Sequence, residues 1–546
     1  MKHRLPYKFL LPLLVIILVS GCKKLDLAPT NRYTELTFWQ SADNVNNALN
    51  NCYNSIYNSS LVFYNEGLSD NAVAKAGSAN GTSIIASGNF TPTLDRFRND
   101  WSYYFSGIKS CNIFLENVDK NATIASDVKE RMKAEVRFIR AWHHFNLVKW
   151  YGDVPLLDHD VTPDEAKTIA RSPKADVEKF IGDELDAVAA ILPSNTQYTA
   201  NDNGRITKGA ALALKARMLL YDGDKMQDVV LLCEQIMNNA DNGTYALASD
   251  YNTLFSDMTV NKNSSENIFD LEYVPTLRAW GDYFDFAPIS AGARTGGLSP
   301  TQELVNSYIM LNGKDISDAT SGYDENNPYA SRDPRLTATV VYDQYVWTNP
   351  DGSTQIIYIK PGFTPAGASS ANEYSNSGQG SATGYYWRKY WDPKYTAPGI
   401  SSGLNIHLIR YAEVLLMYAE AKNALGQMTE DVWNQTVRAL RARAGFTEAG
   451  ALNYPGAAVD MTTLIRNERR CEFAMEGIRI DDIRRWKIAE TVLNTWAHGA
   501  KYGDPTVDNG YIRAQLRVFD ASKNYLWPVP PSEISLNANL TQNPNY

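Results

Sequence analysis

Between residues 128 and 151, Ala134, Phe138, Ala141, Phe145 and Val148 recur at steps of three and four, while Lys129, Lys133, Arg137 and Arg140 take other faces. That period is helical, so the stretch must bury one stripe against neighbouring elements. It stops at Tyr151-Gly152-Asp153-Val154-Pro155. There Gly permits a left-handed exit, and Pro can neither donate an N–H nor continue the helix. The same patterning predicts helices over 41–58, with Ser41 and Asp43 as candidate caps, and over 99–118, 173–192, 207–221 and 226–240. Residues 209–240 read as helix, a turn at Asp222-Gly223-Asp224, and helix, about the size of one tetratricopeptide repeat. Residues 407–444 read the same way around Gly426, and 464–487 as a charged helix. The fold class predicted is mainly α, built on tetratricopeptide-like helical pairs.

From about 244 to 405 the pattern changes to Gly, Ser, Asn, Pro, Tyr and Trp, with strand-like pieces at Thr337–Val341 and Gln355–Ile359. The segment is too aromatic for a disordered linker. It reads as ordered loops with short strands packed on the helical scaffold, where binding functions usually sit.

The first residues carry a different signal. Lys2, Arg4 and Lys8 precede an apolar run from Phe9 to Val19. That run is about half the length needed to span a bilayer, which fits a signal-peptide core. It ends in Val19-Ser20-Gly21-Cys22, which resembles the lipobox of bacterial lipoproteins, with Cys22 as the residue lipidated. Residues 22–40 then read as a lipidated tether. Removal of residues 1–21 takes the net charge from −9 to −12. This acidic balance argues against nucleic acid as a partner and leaves the lipid as the route to a membrane. Cys52, Cys111, Cys233 and Cys471 lie far apart within helical segments and are expected as buried small side chains, although a disulfide stays open.

Candidate chemistry is sparse. No His-Glu-x-x-His, paired Cys-x-x-Cys or Gly-x-Ser-x-Gly string occurs. His143 and His144 point about 100° apart on one helix and cannot grip one metal together. Asp315, Asp318, Asp324 and Glu325 form a loose acidic loop that could hold Ca²⁺, although its spacing is not that of an EF-hand. No cofactor is expected and no metal site is assigned. In 464–487, Glu468, Glu472, Glu476, Asp481 and Asp482 alternate with arginines at steps of three and four, which favours ion pairing over acid–base work; Arg410, Glu413 and Glu420 read alike. The loop Trp280-Gly281-Asp282-Tyr283-Phe284-Asp285-Phe286 sets flat rings beside carboxylates. Sugar rings stack on such surfaces while their hydroxyls hydrogen-bond to polar side chains. Trp280, Tyr283 and Phe284, presented outward, are the expected ligand-binding rings, with Asp70, Asn71 and Arg294 supplying polar contacts. Tyr385-Tyr386-Trp387 reads as structural.

Taken in order, several strings resemble the SusD/RagB family of surface lipoproteins in Bacteroidetes nutrient uptake. They include Arg137-Phe138-Ile139-Arg140-Ala141, Thr207-Lys208-Gly209-Ala210-Ala211, Arg332-Asp333-Pro334-Arg335, Leu408-Ile409-Arg410-Tyr411-Ala412-Glu413, Glu468-Arg469-Arg470 and Trp527-Pro528-Val529-Pro530-Pro531. The resemblance implies one SusD-like domain over 41–546. It also implies a surface-exposed outer-membrane lipoprotein, not an enzyme, that captures an oligosaccharide or a peptide for a SusC-like, TonB-dependent transporter. A lipid-anchored glycoside hydrolase is the alternative from another class, and would need two carboxylates about 5–10 Å apart across a cleft. Replacing Cys22 with Ala is expected to abolish lipid labelling and membrane fractionation while leaving folding intact. An Ala variant that still partitions wholly with membranes would exclude Cys22 as the anchor.

Overall fold

The computed structural model describes residues 35–77, 81–362, 364–374, 378–392 and 401–546. The leader, Cys22 and the tether up to residue 34 lie outside the described residues. The helices used below are α1 Ala42–Asn54, α2 Ser59–Asn65, α3 Asp95–Asn117, α4 Ser126–Tyr151, α5 Lys174–Ala189, α6 Lys208–Asp222, α7 Met226–Asn238, α8 Tyr411–Ala424, α9 Met461–Glu472 and α10 Arg479–Arg485. Each scaffold helix packs on the next: α3 on α4, α4 on α5, α5 on α6 and α6 on α7. The series then resumes with α7 on α8 and α8 on α9, as though the intervening residues were looped out. Neighbours in sequence thus bury one another's apolar stripes, the logic of helical-repeat proteins.

Local chemistry sets the boundaries. Ser41 Oγ accepts the Asn44 N–H at 3.4 Å to start α1, and Thr207 Oγ1 accepts the Ala210 N–H at 3.1 Å to start α6. Gly152 and Gly223 end α4 and α6 at φ 72° and 82°, a region costly for residues with a Cβ. At Gly107 a Cβ would lie 2.2 Å from His143 Nε2, so this glycine sets how closely α3 approaches α4.

The residues between α7 and α8 carry most of the short strands, which pair two by two. Labelled in chain order, these are β1 Ala72–Ala74, β2 Asn267–Leu271, β3 Leu298–Pro300, β4 Tyr345–Thr348, β5 Thr354–Ile357 and β6 Ile406–Arg410. Antiparallel pairing of β2 with β6 brings the two ends of the excursion together and delivers the chain directly into α8. β1 pairs antiparallel with β3, tying the N-terminal region to the excursion, while β4 and β5 form a hairpin.

Three sequence expectations need correction. Residues 406–410 form a strand, not the start of a helix, because their backbone groups are taken by β2. Thr337–Val341 is mostly helix, since Asp333 caps Pro334–Thr339 by accepting the Arg335 N–H and only Val340–Val341 pairs as strand. The charged stretch 464–487 breaks between α9 and α10, where Met475 and Gly477 adopt φ 65° and 75°.

That break turns what looked like local ion pairing into long-range pairing. Arg335 meets Asp333 at 2.8 Å, Glu468 at 2.7 Å and Glu472 at 2.9 Å. Arg410 meets Glu266 and Glu472 at 2.7 Å and Glu476 at 2.8 Å. Arg443 bridges Glu266 and Glu472, Arg441 holds Glu468 at 2.8 Å, and Lys389 holds Glu476 at 2.6 Å. Five cations thus face five carboxylates, all buried. Glu413 and Glu420 are paired elsewhere, with Arg217 and Arg485. Burial alone would raise the Glu472 carboxyl; the guanidiniums of Arg443, Arg410 and Arg335 more than reverse this and hold it well below the usual range. Glu468 and Glu476 are lowered by the same contest.

Breaking such a network leaves a buried charge unpaired, so Glu472→Ala is expected to lower stability by about 3–5 kcal/mol in urea unfolding. The depressed carboxyls contribute stability that is full above the ordinary glutamate value of 4.5 and is lost as pH falls toward their folded values. Unfolding midpoints should therefore drop below about pH 4.5. A midpoint flat from pH 7 to 3 would contradict the network's contribution.

Candidate functional site

A cleft of about 690 Å³ opens between α2 and the loop running from Ala279 to Arg294. Asn58 Oδ1 accepts the Leu61 N–H at 2.9 Å and so starts α2, which sets the next two hydroxyls at the cleft edge. Ser59 and Ser60 donate to the two oxygens of Asp282 at 2.6 and 2.5 Å. Burial pushes the Asp282 carboxyl up, and those serine hydrogen bonds oppose it. Tyr64 donates to Asp285 at 3.1 Å, and Arg294 grips the same carboxylate through Nε and Nη2 at 2.6 and 3.0 Å. That bidentate hydrogen bonding raises the Arg294 guanidinium further above its ordinary value.

The guanidinium lies 5.4 Å from the centre of the half-buried Phe284 ring, and the Arg294 side chain is 63% exposed. Backbone bonds from Arg294 N to Phe284 O at 2.8 Å and from Gly297 N to Asp285 O at 2.7 Å fix the loop. The result is a preformed surface of one aromatic ring, one exposed cation and several polar oxygens. It can stack the apolar face of a ring-shaped ligand and hydrogen-bond to its hydroxyls.

Of the residues expected to bind, Phe284 and Arg294 sit together at this surface. Trp280 does not present its ring outward. It is 2% exposed, donates Nε1–H to Leu404 O at 2.8 Å, and packs against Phe63 at 5.0 Å between centroids, although it is among the residues that line the cleft. Paired backbone bonds with Ser402 clamp it in place. Tyr283 is 1% exposed and donates its hydroxyl to Lys389 O. An indole or phenol that finds a carbonyl inside the protein has no reason to face water.

Asp70 and Asn71 also depart from expectation, being absent from the cleft lining. Asp70 is buried and held by Arg479 at 2.8 Å and Arg470 at 3.1 Å. Burial would raise its carboxyl, but these two guanidiniums bring it well below the usual range. Asn71 accepts from Arg470 at 2.8 Å and donates to Glu66 at 3.1 Å. Both residues join β1 to α9 and α10. Ser59, Ser60 and Tyr64 were missed; Asn58-Ser59-Ser60, a capping string before an aromatic helix, is the signal that could have flagged them.

The acidic loop spends its carboxylates on its own backbone and on Lys501. Asp315, Asp318 and Asp324 each accept the N–H two residues on, at 2.8, 2.7 and 2.9 Å, and Glu325 pairs with Lys501 at 2.6 Å. Among the described residues no group of three or more His, Cys, Asp or Glu lies close enough to hold a metal ion.

Comparison with known proteins covers almost the whole chain. A model described as "SusD family" matches residues 235–546, and another described as "Starch-binding associating with outer membrane" matches residues 25–220. A SusD-like protein P2 from Formosa agariphila is 24% identical, over 99% of each chain. The starch-binding protein SusD of Bacteroides thetaiotaomicron is 25% identical, over 82% of this chain and 79% of that one. Among solved structures, a SusD-like carbohydrate binding protein from Bacteroides fragilis superposes with a TM-score of 0.82. It is 30% identical, over 92% of this chain and all of that one.

Because the indole is part of the core, Trp280→Ala is expected to cost about 3–5 kcal/mol in stability, the scale of removing a buried large aromatic. A melting temperature unchanged from the parent would show that the ring is not held as described.

Proposed function

This chain belongs to the SusD family, and from that premise we propose that it is a lipid-anchored outer-membrane protein that binds an oligosaccharide at the α2 cleft. The observation that carries the reading is the pairing of Phe284 with an exposed guanidinium on a loop already locked by hydrogen bonds. A preformed surface avoids the ordering cost that a mobile loop would incur on binding. Relatives named as starch-binding and carbohydrate binding support a sugar as the ligand class.

Binding without turnover is the expected activity. The carboxylates lining the cleft, Asp100, Asp282 and Asp285, are engaged by Arg96, Ser59, Ser60, Tyr64 and Arg294. Carboxylates committed to internal donors are poorly placed to shuttle protons to a glycosidic bond. A tethered binding protein cannot itself move a ligand across a membrane, so delivery falls to a SusC-like, TonB-dependent transporter. Tethering both to one membrane raises the effective concentration of captured ligand at the transporter.

Calorimetric titration of an oligosaccharide panel tests the site. Phe284→Ala and Arg294→Ala should each weaken binding of the best glycan by about 1–3 kcal/mol with little change in melting temperature. Unaltered affinity in both variants, or a parent chain that binds no glycan, would overturn the assignment. Mild-detergent purification from native membranes should bring down the transporter, and recovery of monomer alone would count against that partnership.

A further inference from the structure

The first scaffold joint holds two cysteines face to face. Cys52 lies on α1 and Cys111 on α3, and the two helices pack together. The Cys52 thiol donates to the carbonyl of Ser110, the residue just before Cys111, at 3.5 Å. One residue earlier, Asn51 Nδ2 donates to Ser110 Oγ at 3.4 Å, so the register of α1 against α3 is fixed at this level. Burial, and after it the neighbouring Cys52 thiol, push the Cys111 thiol well above its ordinary value. Both residues are buried, at 0% and 1% exposure, and both are free thiols. Cys233 on α7 and Cys471 on α9 are buried as well, but the contacts of Cys471 run to Ser307 rather than to sulfur.

We propose that Cys52 and Cys111 form a disulfide-forming pair, oxidised by thiol–disulfide exchange while the chain folds, which staples the first long helix to the scaffold. The oxidant is the disulfide of a thiol–disulfide oxidoreductase or of oxidised glutathione. One cysteine thiolate attacks it, forming a mixed disulfide and releasing one thiolate; the second cysteine then attacks the mixed disulfide and releases the other. Two protein thiols are oxidised, one external disulfide is reduced to two thiols, and the two protons pass to the leaving sulfurs.

Timing follows from burial. Once α1 has docked, burial pushes the Cys111 thiol well above its ordinary value, so little thiolate exists to react and no external disulfide can approach. Oxidation therefore belongs to the interval before the joint closes. The consequence is mechanical: together with Trp39 and Gln40, whose carbonyls accept from Asn121, α1 is the first part of the scaffold that a pull on the lipid anchor would load. This setting rests on the exported, tethered reading above; the pairing itself rests on the helix joint.

The test uses the mature chain carrying Cys22→Ser, so that four internal thiols remain. It is refolded from denaturant in a reduced and oxidised glutathione buffer, alkylated under denaturing conditions and digested for mass spectrometry. The expected product is one cross-linked peptide joining Cys52 to Cys111, with Cys233 and Cys471 alkylated. Reduction in denaturant followed by refolding without oxidant should lower the melting temperature by a few degrees relative to the oxidised chain, and the same treatment should leave the Cys52→Ser, Cys111→Ser double variant unmoved. Four alkylated thiols after refolding, or cross-links that involve Cys233 or Cys471, would overturn the proposal. A refolded chain that carries the bond beside a membrane-isolated chain that lacks it would support the pairing and sink the export reading.

Discussion

Arg410 stands where β6 ends and α8 begins, and its guanidinium is saturated by Glu266, Glu472 and Glu476. Glu266 precedes β2, so the arginine fastens the start and the end of the looped-out segment to each other. Glu472 ends α9, so the same group also fastens that segment to the last helices of the scaffold. Arg335, Lys389 and Arg443 repeat this from other points of the excursion and scaffold. Apolar packing would tolerate small slips between these parts; buried charges do not, because each slip leaves a carboxylate or guanidinium without its partner. The loops that carry the cleft are thereby held in one arrangement.

The cleft inherits that rigidity. Trp280 and Tyr283, two residues and one residue from the cleft-edge carboxylate Asp282, anchor the 279–294 loop through hydrogen bonds to the carbonyls of Leu404 and Lys389. Lys389 is itself fixed by Glu476 within the ion network. A continuous chain of contacts therefore runs from the charged core to the surface bearing Phe284 and Arg294. Of the three rings expected as binders, Trp280 and Tyr283 are the posts on which the surface bearing Phe284 stands.

The scaffold helices were legible because their signal is local: the apolar period of 128–151 and the Gly152 stop reappear as α4 almost to the residue. What was not legible depends on distant partners. The strand at 406–410 is invisible without β2, and the break between α9 and α10 is invisible without the distant donors Arg441, Arg443 and Lys389 that hold Glu468, Glu472 and Glu476. An aromatic loop likewise announces its composition and not which ring faces out. Trp280 and Phe284 are both aromatic in sequence, and only the fold separates them: the indole N–H is seated on Leu404 O, while Phe284 stays half-buried against Arg294. Asp70 and Asn71 read from the sequence as polar groups available to a ligand; the arginines that engage them lie some 400 residues away.

The central claim is that a locked scaffold presents one preformed cleft to an oligosaccharide. Hydrogen–deuterium exchange with and without the best-binding glycan tests it most directly, since it reports every segment at once. Protection on binding should be confined to residues 58–64 and 279–294, with amides of the helical scaffold exchanging as slowly before ligand as after. Protection centred on another face of the molecule, or slowing spread through the scaffold helices, would contradict the account.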